Sequence, residues 1–135
     1  SSNFITLKKQ LPKLDVALSG LFEDLYQRGM DQDTTVIVWG EFGRTPRINA
    51  NKAGRDHWYG VSMCVMAGGG MKTGQVVGKS TKNAERPLER PIHHQQVFAT
   101  LYHNLGIDVG TTQLIDPSGR PQYLVEHREP ITELI

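Results

Sequence analysis

The sequence predicts an α/β layered fold, with a mostly parallel sheet and flanking helices, and three observations predict it. A leucine stripe at helical spacing opens the chain, two short apolar runs without alternation lie in its middle, and a second helical stretch follows them. Strands this apolar ask for cover on both faces, and the order helix, strand, loop, strand, short strand, helix fits strands joined by crossovers. Two or three strands are few for such a sheet. The 135 residues are therefore expected to form a single segment, 1–135, the C-terminal part of a larger domain. A complete small α/β domain is the plainer alternative.

The first helix is expected over residues 5 to 28, where Leu7, Leu11, Leu14, Leu18, Leu21 and Leu25 recur at steps of four and three. Ala17, Phe22 and Tyr26 widen this stripe, which reads as one face packed against a core rather than as a zipper for a partner. Pro12 fits best in a first turn, so the regular helix is expected to begin near Leu11, and Gly29 is its stop. "TVIVWG", 35 to 40, reads as a strand covered on both faces, and 41 to 60 as a long loop. "VSMCVMAG", 61 to 68, reads as a second buried strand ending in a Gly-rich turn, and "GQVVGKS", 74 to 80, as a short or edge strand. The second helix is expected over 93 to 106, with Val97, Leu101 and Leu105 on its inner face and Gly106 as its end. The remainder is turn-rich, with "DPSG" the strongest turn signal.

Composition excludes several classes. A net charge of +1 leaves no broad basic field, so no nucleic-acid partner is expected. Hydrophobic content of 38 % with 21 % charged residues suits a globular domain. The single cysteine, Cys64, cannot form an internal disulfide and reads as a small buried apolar residue. No apolar stretch reaches the roughly 18 residues that a membrane-spanning helix needs. "SSNFITLKKQLPKLD" enters a helical pattern at once, with no leader, as the middle of a longer protein would.

The charged groups gather past the end of the first strand. In open α/β sheets ligands collect beyond the carboxyl ends of strands, and Glu41 stands there between Gly40 and Gly43. Arg44 brings a guanidinium fork suited to sulfate, phosphate or carboxylate. "GRDHW" adds Arg55, Asp56, His57 and Trp58. Glu41, Asp56 and His57 are donor types for a divalent cation, whether zinc, calcium, magnesium or manganese. A carboxylate beside His57 would fix its tautomer. The set carries no CxxC or HExxH pattern. The plainer readings are an ion pair between Glu41 and Arg44, a structural His57, a capping or exposed role for His93 and His94, and a simple turn for "AGGG".

"LPKLDVALSGLFEDLYQRGMDQDTTVIVWGEFGRTPRIN" followed by "GRDHWYGVSMCVMAGGGMKTGQVVGKS" closely resembles the C-terminal part of the domain of unknown function 1501 family, with "EFGRTP" and "GRDHW" the most specific blocks. The resemblance covers nearly the whole chain and implies the alkaline phosphatase and sulfatase superfamily. That superfamily implies a hydrolase of sulfate or phosphate esters with one or two divalent metals and a nucleophile in an N-terminal part that this chain does not include. By resemblance, "VIVWGEFG" matches a strand followed by Asp-His-Gly. Glu41 takes the place of the Asp, Gly43 matches the Gly, Phe42 stands where a ligating His would be, and His57 matches a downstream His. The resemblance thus implies Glu41 and His57 on a metal, Asp56 behind His57, and Arg44 on the anionic group. The isolated chain would be inactive and would partner the rest of its parent, with self-association through exposed apolar faces. Two other classes are carried beside this one. A periplasmic or envelope module for polysaccharide or protein could retain the fold without the chemistry, which Phe42 favours, and a structural domain could pack its charged loop against the parent. Periplasm or cell envelope is implied by the export signals common in the family.

Overall fold

The computed structural model describes residues 3–50 and 53–135. In chain order its elements are α1 (Asn3–Gln27), β1 (Thr35–Trp39), β2 (Gly43–Arg44), β3 (His57–Trp58), β4 (Cys64–Gly68), β5 (Lys79–Ser80), β6 (Pro87–Glu89), α2 (His94–Asn104), β7 (Gln113–Ile115) and β8 (Pro121–Tyr123). Helices and strands are mixed, as an α/β chain requires.

The expected parallel sheet is not what these strands form. Four two-stranded ladders are present among the described residues, and each is antiparallel. The main one pairs β1 with β4 from Thr35↔Gly68 to Trp39↔Cys64. A parallel pair needs a crossover, usually a helix, to carry the chain back to the same end of the sheet. The described residues between 40 and 63 contain no helix, only the small β2–β3 ladder, and the chain reverses and returns antiparallel. At the far end of the ladder Gly68, Gly69 and Gly70 all have positive φ, so "AGGG" is a turn. A side chain on Gly68 would meet the Thr34 carbonyl.

The core lies between α2, the β1–β4 ladder and the C-terminal residues. Met71, Val97, Ile131 and Leu134 form one buried cluster, against which Ile37, Cys64, Met66, Val77 and Ile92 pack. Ala99, Val109 and Val125 form a second, with Tyr102 and Leu124 beside it. Cys64 is a half-buried free thiol, and burial raises its pKa. The turn-rich tail thus supplies Val125, Ile131 and Leu134 to the core, which its turn residues conceal from periodicity.

The inner face of α2 is turned from the one expected. Val97, Ala99 and Thr100 are buried, whereas Leu105 is exposed beyond the last turn. Thr100 is fully buried because both functions of its hydroxyl are used: it donates to the Gln96 carbonyl at 2.7 Å and accepts the Ile131 N–H at 2.9 Å. His93 is the N-cap. Its Nδ1 accepts from the Gln95 N–H, and the Gln96 side chain accepts from the His93 N–H, which completes a capping box. His127 sits on His93 with ring centroids 4.0 Å apart, and Gln95 Oε1 accepts from the N–H groups of Glu126 and His127.

Two expectations for α1 are corrected. The helix runs unbroken from Asn3 through Pro12 rather than starting near Leu11. Proline removes one intrahelical bond, but that turn faces solvent, where water satisfies the freed carbonyl. Its leucine stripe is also not part of a core within this chain: no α1 residue is buried, and Leu11 and Leu14 are 52 % and 46 % exposed. No described helix is long and apolar enough to cross a membrane.

Candidate functional site

The loop expected over residues 41 to 60 is folded back on itself, and this brings "EFGRTP" and "GRDHW" face to face. Gly43 pairs with Trp58 and Arg44 with His57 in the β2–β3 ladder. The two arms continue past it: the Thr45 N–H donates to the Asp56 carbonyl at 3.0 Å, and the Asp56 N–H donates to Thr45 Oγ1 at 3.1 Å. Gly43 must be glycine here, because a side chain would collide with the Val61 carbonyl. Trp39 meets Phe98 at 5.5 Å between centroids, which fixes the end of β1 against α2 just before Glu41.

Arg44, Asp56 and His57 line one open cleft of about 580 Å³, together with Asn49 and Arg55. Arg44 Nη1 donates to the Arg55 carbonyl at 3.3 Å. A guanidinium has five N–H donors, so most of the fork remains free. Asn49 Nδ2 donates to Asp56 Oδ1 at 2.9 Å, and the Asn49 N–H donates to the Gly54 carbonyl at 2.8 Å, so the acid is oriented by its own loop. The plainer alternative, an ion pair between Glu41 and Arg44, is absent among the described residues, where neither arginine of the cleft forms an ion pair. Glu41 lies exposed in the bend before β2, outside the cleft lining. His57 is covered on one face by Phe42, whose ring stacks on it at 3.8 Å and 28°.

Glu41, Asp56 and His57 are of the right chemistry for a divalent cation. They do not assemble into a site by themselves: no group of three His, Cys, Asp or Glu able to hold a metal exists among the described residues.

Arg55 carries more of the site than its sequence suggested. It borders the first cleft and also a second, of about 530 Å³, lined by Arg47, Lys82 and Glu85. Its Nε is buried without a hydrogen-bond partner among the described residues, and its guanidinium lies 5.7 Å from the Phe4 ring. Lys82 gave no signal because it lies far from both motif blocks in a polar loop, and only the fold brings that loop alongside. The link is Trp58, whose indole N–H donates to the Glu85 carbonyl at 2.9 Å.

Neither a curated protein nor a solved structure matches the chain. A family model described as "Protein of unknown function (DUF1501)" matches residues 1–135 from end to end, and the chain belongs to that family.

Proposed function

We propose that this chain is the anion-recognising, C-terminal segment of a metal-dependent hydrolase of the alkaline phosphatase and sulfatase type, acting on a sulfate or phosphate ester. The observation that carries the reading is the cleft in which Arg44 and Arg55 stand on facing arms of one hairpin with no carboxylate paired to either among the described residues. Two guanidinium groups held on a braced backbone neutralise an ester anion and orient it through forked hydrogen bonds. Arg44 is the residue that binds the anionic group. Asp56, held by Asn49, stands beside His57 as its orienting acid.

A divalent cation would supply Lewis acidity at such a centre. Glu41 and His57 are this chain's donors to it, with Asp56 behind them, and the remaining ligands and the nucleophile belong to the rest of the parent. The isolated chain therefore binds without turning over. In this reading β1 and β4, each with one edge unpaired among the described residues, join a larger, mostly parallel sheet of the parent. The exposed stripe of α1 packs against that parent, or self-associates without it. The parent works in the periplasm or cell envelope.

One observation favours a second reading. Phe42 covers His57 with an apolar ring, as suits a binding module for polysaccharide or protein that has lost its metal. One set of titrations separates the two. Inorganic sulfate and phosphate should bind the folded chain saturably and at least tenfold more weakly after Arg44→Ala. Zinc or manganese binding abolished by both His57→Ala and Glu41→Ala favours the hydrolase; anion binding without metal binding favours the module. Anion affinity unaltered by Arg44→Ala would sink both.

A further inference from the structure

The two clefts share a wall. Arg55 borders both, and the cations beyond it, Arg44 on one side and Arg47 with Lys82 on the other, flank that one side chain. The acids present are one to a cleft, Asp56 and Glu85. Asp56 is engaged by Asn49, and none of the four cations forms an ion pair among the described residues. Four cations against two acids leave an excess of positive charge on both sides of one guanidinium, which suits two anionic groups rather than one.

The juxtaposition is built into the fold. Trp58 follows His57 of the first cleft on β3, and its indole N–H holds the Glu85 carbonyl of the second. The turn that carries Lys82 and Glu85 is closed by three further bonds, from Thr81 N–H to the Arg86 carbonyl, Ala84 N–H to the Thr81 carbonyl and Glu85 N–H to Thr81 Oγ1. Gly60 leaves room for this approach, because a side chain there would meet both the Glu85 carbonyl and Trp58 Nε1. The Arg55 Nε has no partner to lose, so its guanidinium can shift toward a ligand without breaking a hydrogen bond among the described residues.

We infer that the clefts are adjacent subsites for one ligand bearing two sulfate or phosphate groups on a sugar backbone, the first group held by Arg44 and Arg55 and the second by Arg47 and Lys82. This rests on the anion-binding reading of the first cleft and extends it to the ligand's length. A sugar backbone is favoured by Tyr59, the residue after Trp58 on the arm that carries Arg55, which is 94 % exposed and whose ring stacks on Trp58 at 5.7 Å. A nucleic-acid strand would call for a longer run of cations and a series of stacking rings.

The test is calorimetric titration of the whole chain with four probes: glucose 6-sulfate, a dextran oligosaccharide sulfated on consecutive units, an inorganic polyphosphate, and a single-stranded DNA oligonucleotide. The sulfated oligosaccharide should bind at least tenfold tighter than glucose 6-sulfate. Lys82→Ala and Arg47→Ala should each remove most of that advantage, whereas Arg44→Ala should weaken both sugars. Lys8→Ala with Lys9→Ala, which removes two charges from α1, should change neither. Polyphosphate matching the oligosaccharide would assign the subsites to phosphate as well as sulfate. The inference is overturned if the oligosaccharide gains nothing over the monosaccharide, if Lys82→Ala weakens both sugars equally, if the α1 variant is as damaging as Lys82→Ala, or if the oligonucleotide binds tightest. Glucose 6-sulfate binding that ignores Arg44→Ala would instead indict the first cleft, so the two failures are distinct.

Discussion

α1 and α2 are both amphipathic, yet α1, with 25 residues, buries none of them, whereas α2, with 11, buries Val97, Ala99 and Thr100. The shorter helix is tied at both ends and along one side. Its N-terminus has a capping box from His93 and Gln96, its C-terminus closes at Leu105 and Gly106, and its flank accepts the tail through Thr100 and Gln95. The longer helix has a more regular apolar stripe, yet among the described residues its cover stops at half-burial of Leu18, Phe22 and Leu25. An apolar period says which face seeks cover; it does not say which part of the protein provides it, and helix stability in proteins comes mostly from that cover.

The largest test of the contrast is Ile131→Ala. Ile131 is 4 % exposed and belongs to the cluster that α2 helps to close, so its truncation should cost about 2–4 kcal/mol in denaturant unfolding. Thr100→Val should come next, at about 1–3 kcal/mol, because it keeps the shape but strands the buried Ile131 N–H. Hydrogen exchange should show that amide deprotected.

Acid should then loosen the same region in two steps. Partial desolvation, followed by the facing His127 and His94 rings, holds His93 below the usual histidine range, while Glu126 opposes the shift. The unfolded chain therefore takes up this proton more readily than the fold. Stability from His93 is fully present above the unfolded value, near about pH 6.5, and falls as pH drops through the lower folded value. Protonation also turns Nδ1 from acceptor to donor and so removes the cap. His93→Asn keeps an acceptor that does not titrate and should abolish this upper step. The lower step belongs to Glu133, whose carboxylate is pulled down to about 2, chiefly by the two hydrogen bonds from Arg90. Its contribution is present above the ordinary glutamate range and disappears as pH falls toward that value, where Arg90→Ala should flatten the response. The smallest effect is expected on the other helix. Leu14→Ala should change unfolding by less than about 0.5 kcal/mol at low protein concentration, since Leu14 touches no core here. A loss comparable to that of Ile131→Ala would mean that α1 is covered after all.

Much was legible from local chemistry. The existence of both helices and their C-terminal ends, the two main strands, the "DPSG" turn and the capping role before α2 follow from period, glycine and capping residues, which act over a few positions. "DPSG" closes because Asp116 Oδ1 accepts from the N–H groups of Ser118 and Arg120, a contact written within five residues. Residue type suggested a shared site for "EFGRTP" and "GRDHW"; the β2–β3 ladder pairs the two blocks but leaves Glu41 outside the cleft lined by Arg44, Asp56 and His57.

What the amino-acid sequence determined alone is the inventory: which segments are apolar, where they stop, and which charged groups crowd the segment after β1. Strand direction was decided by the tertiary structure, because an antiparallel or a parallel partner buries the same Val and Ile side chains and only the path between strands distinguishes them. Tertiary structure also decided that α1 buries no residue while Ile131 and Leu134, in a turn-rich tail, are core. It decided, too, that Lys82 stands beside Arg55. Each of these rests on contacts between residues far apart in the chain, and no local period or propensity records such contacts.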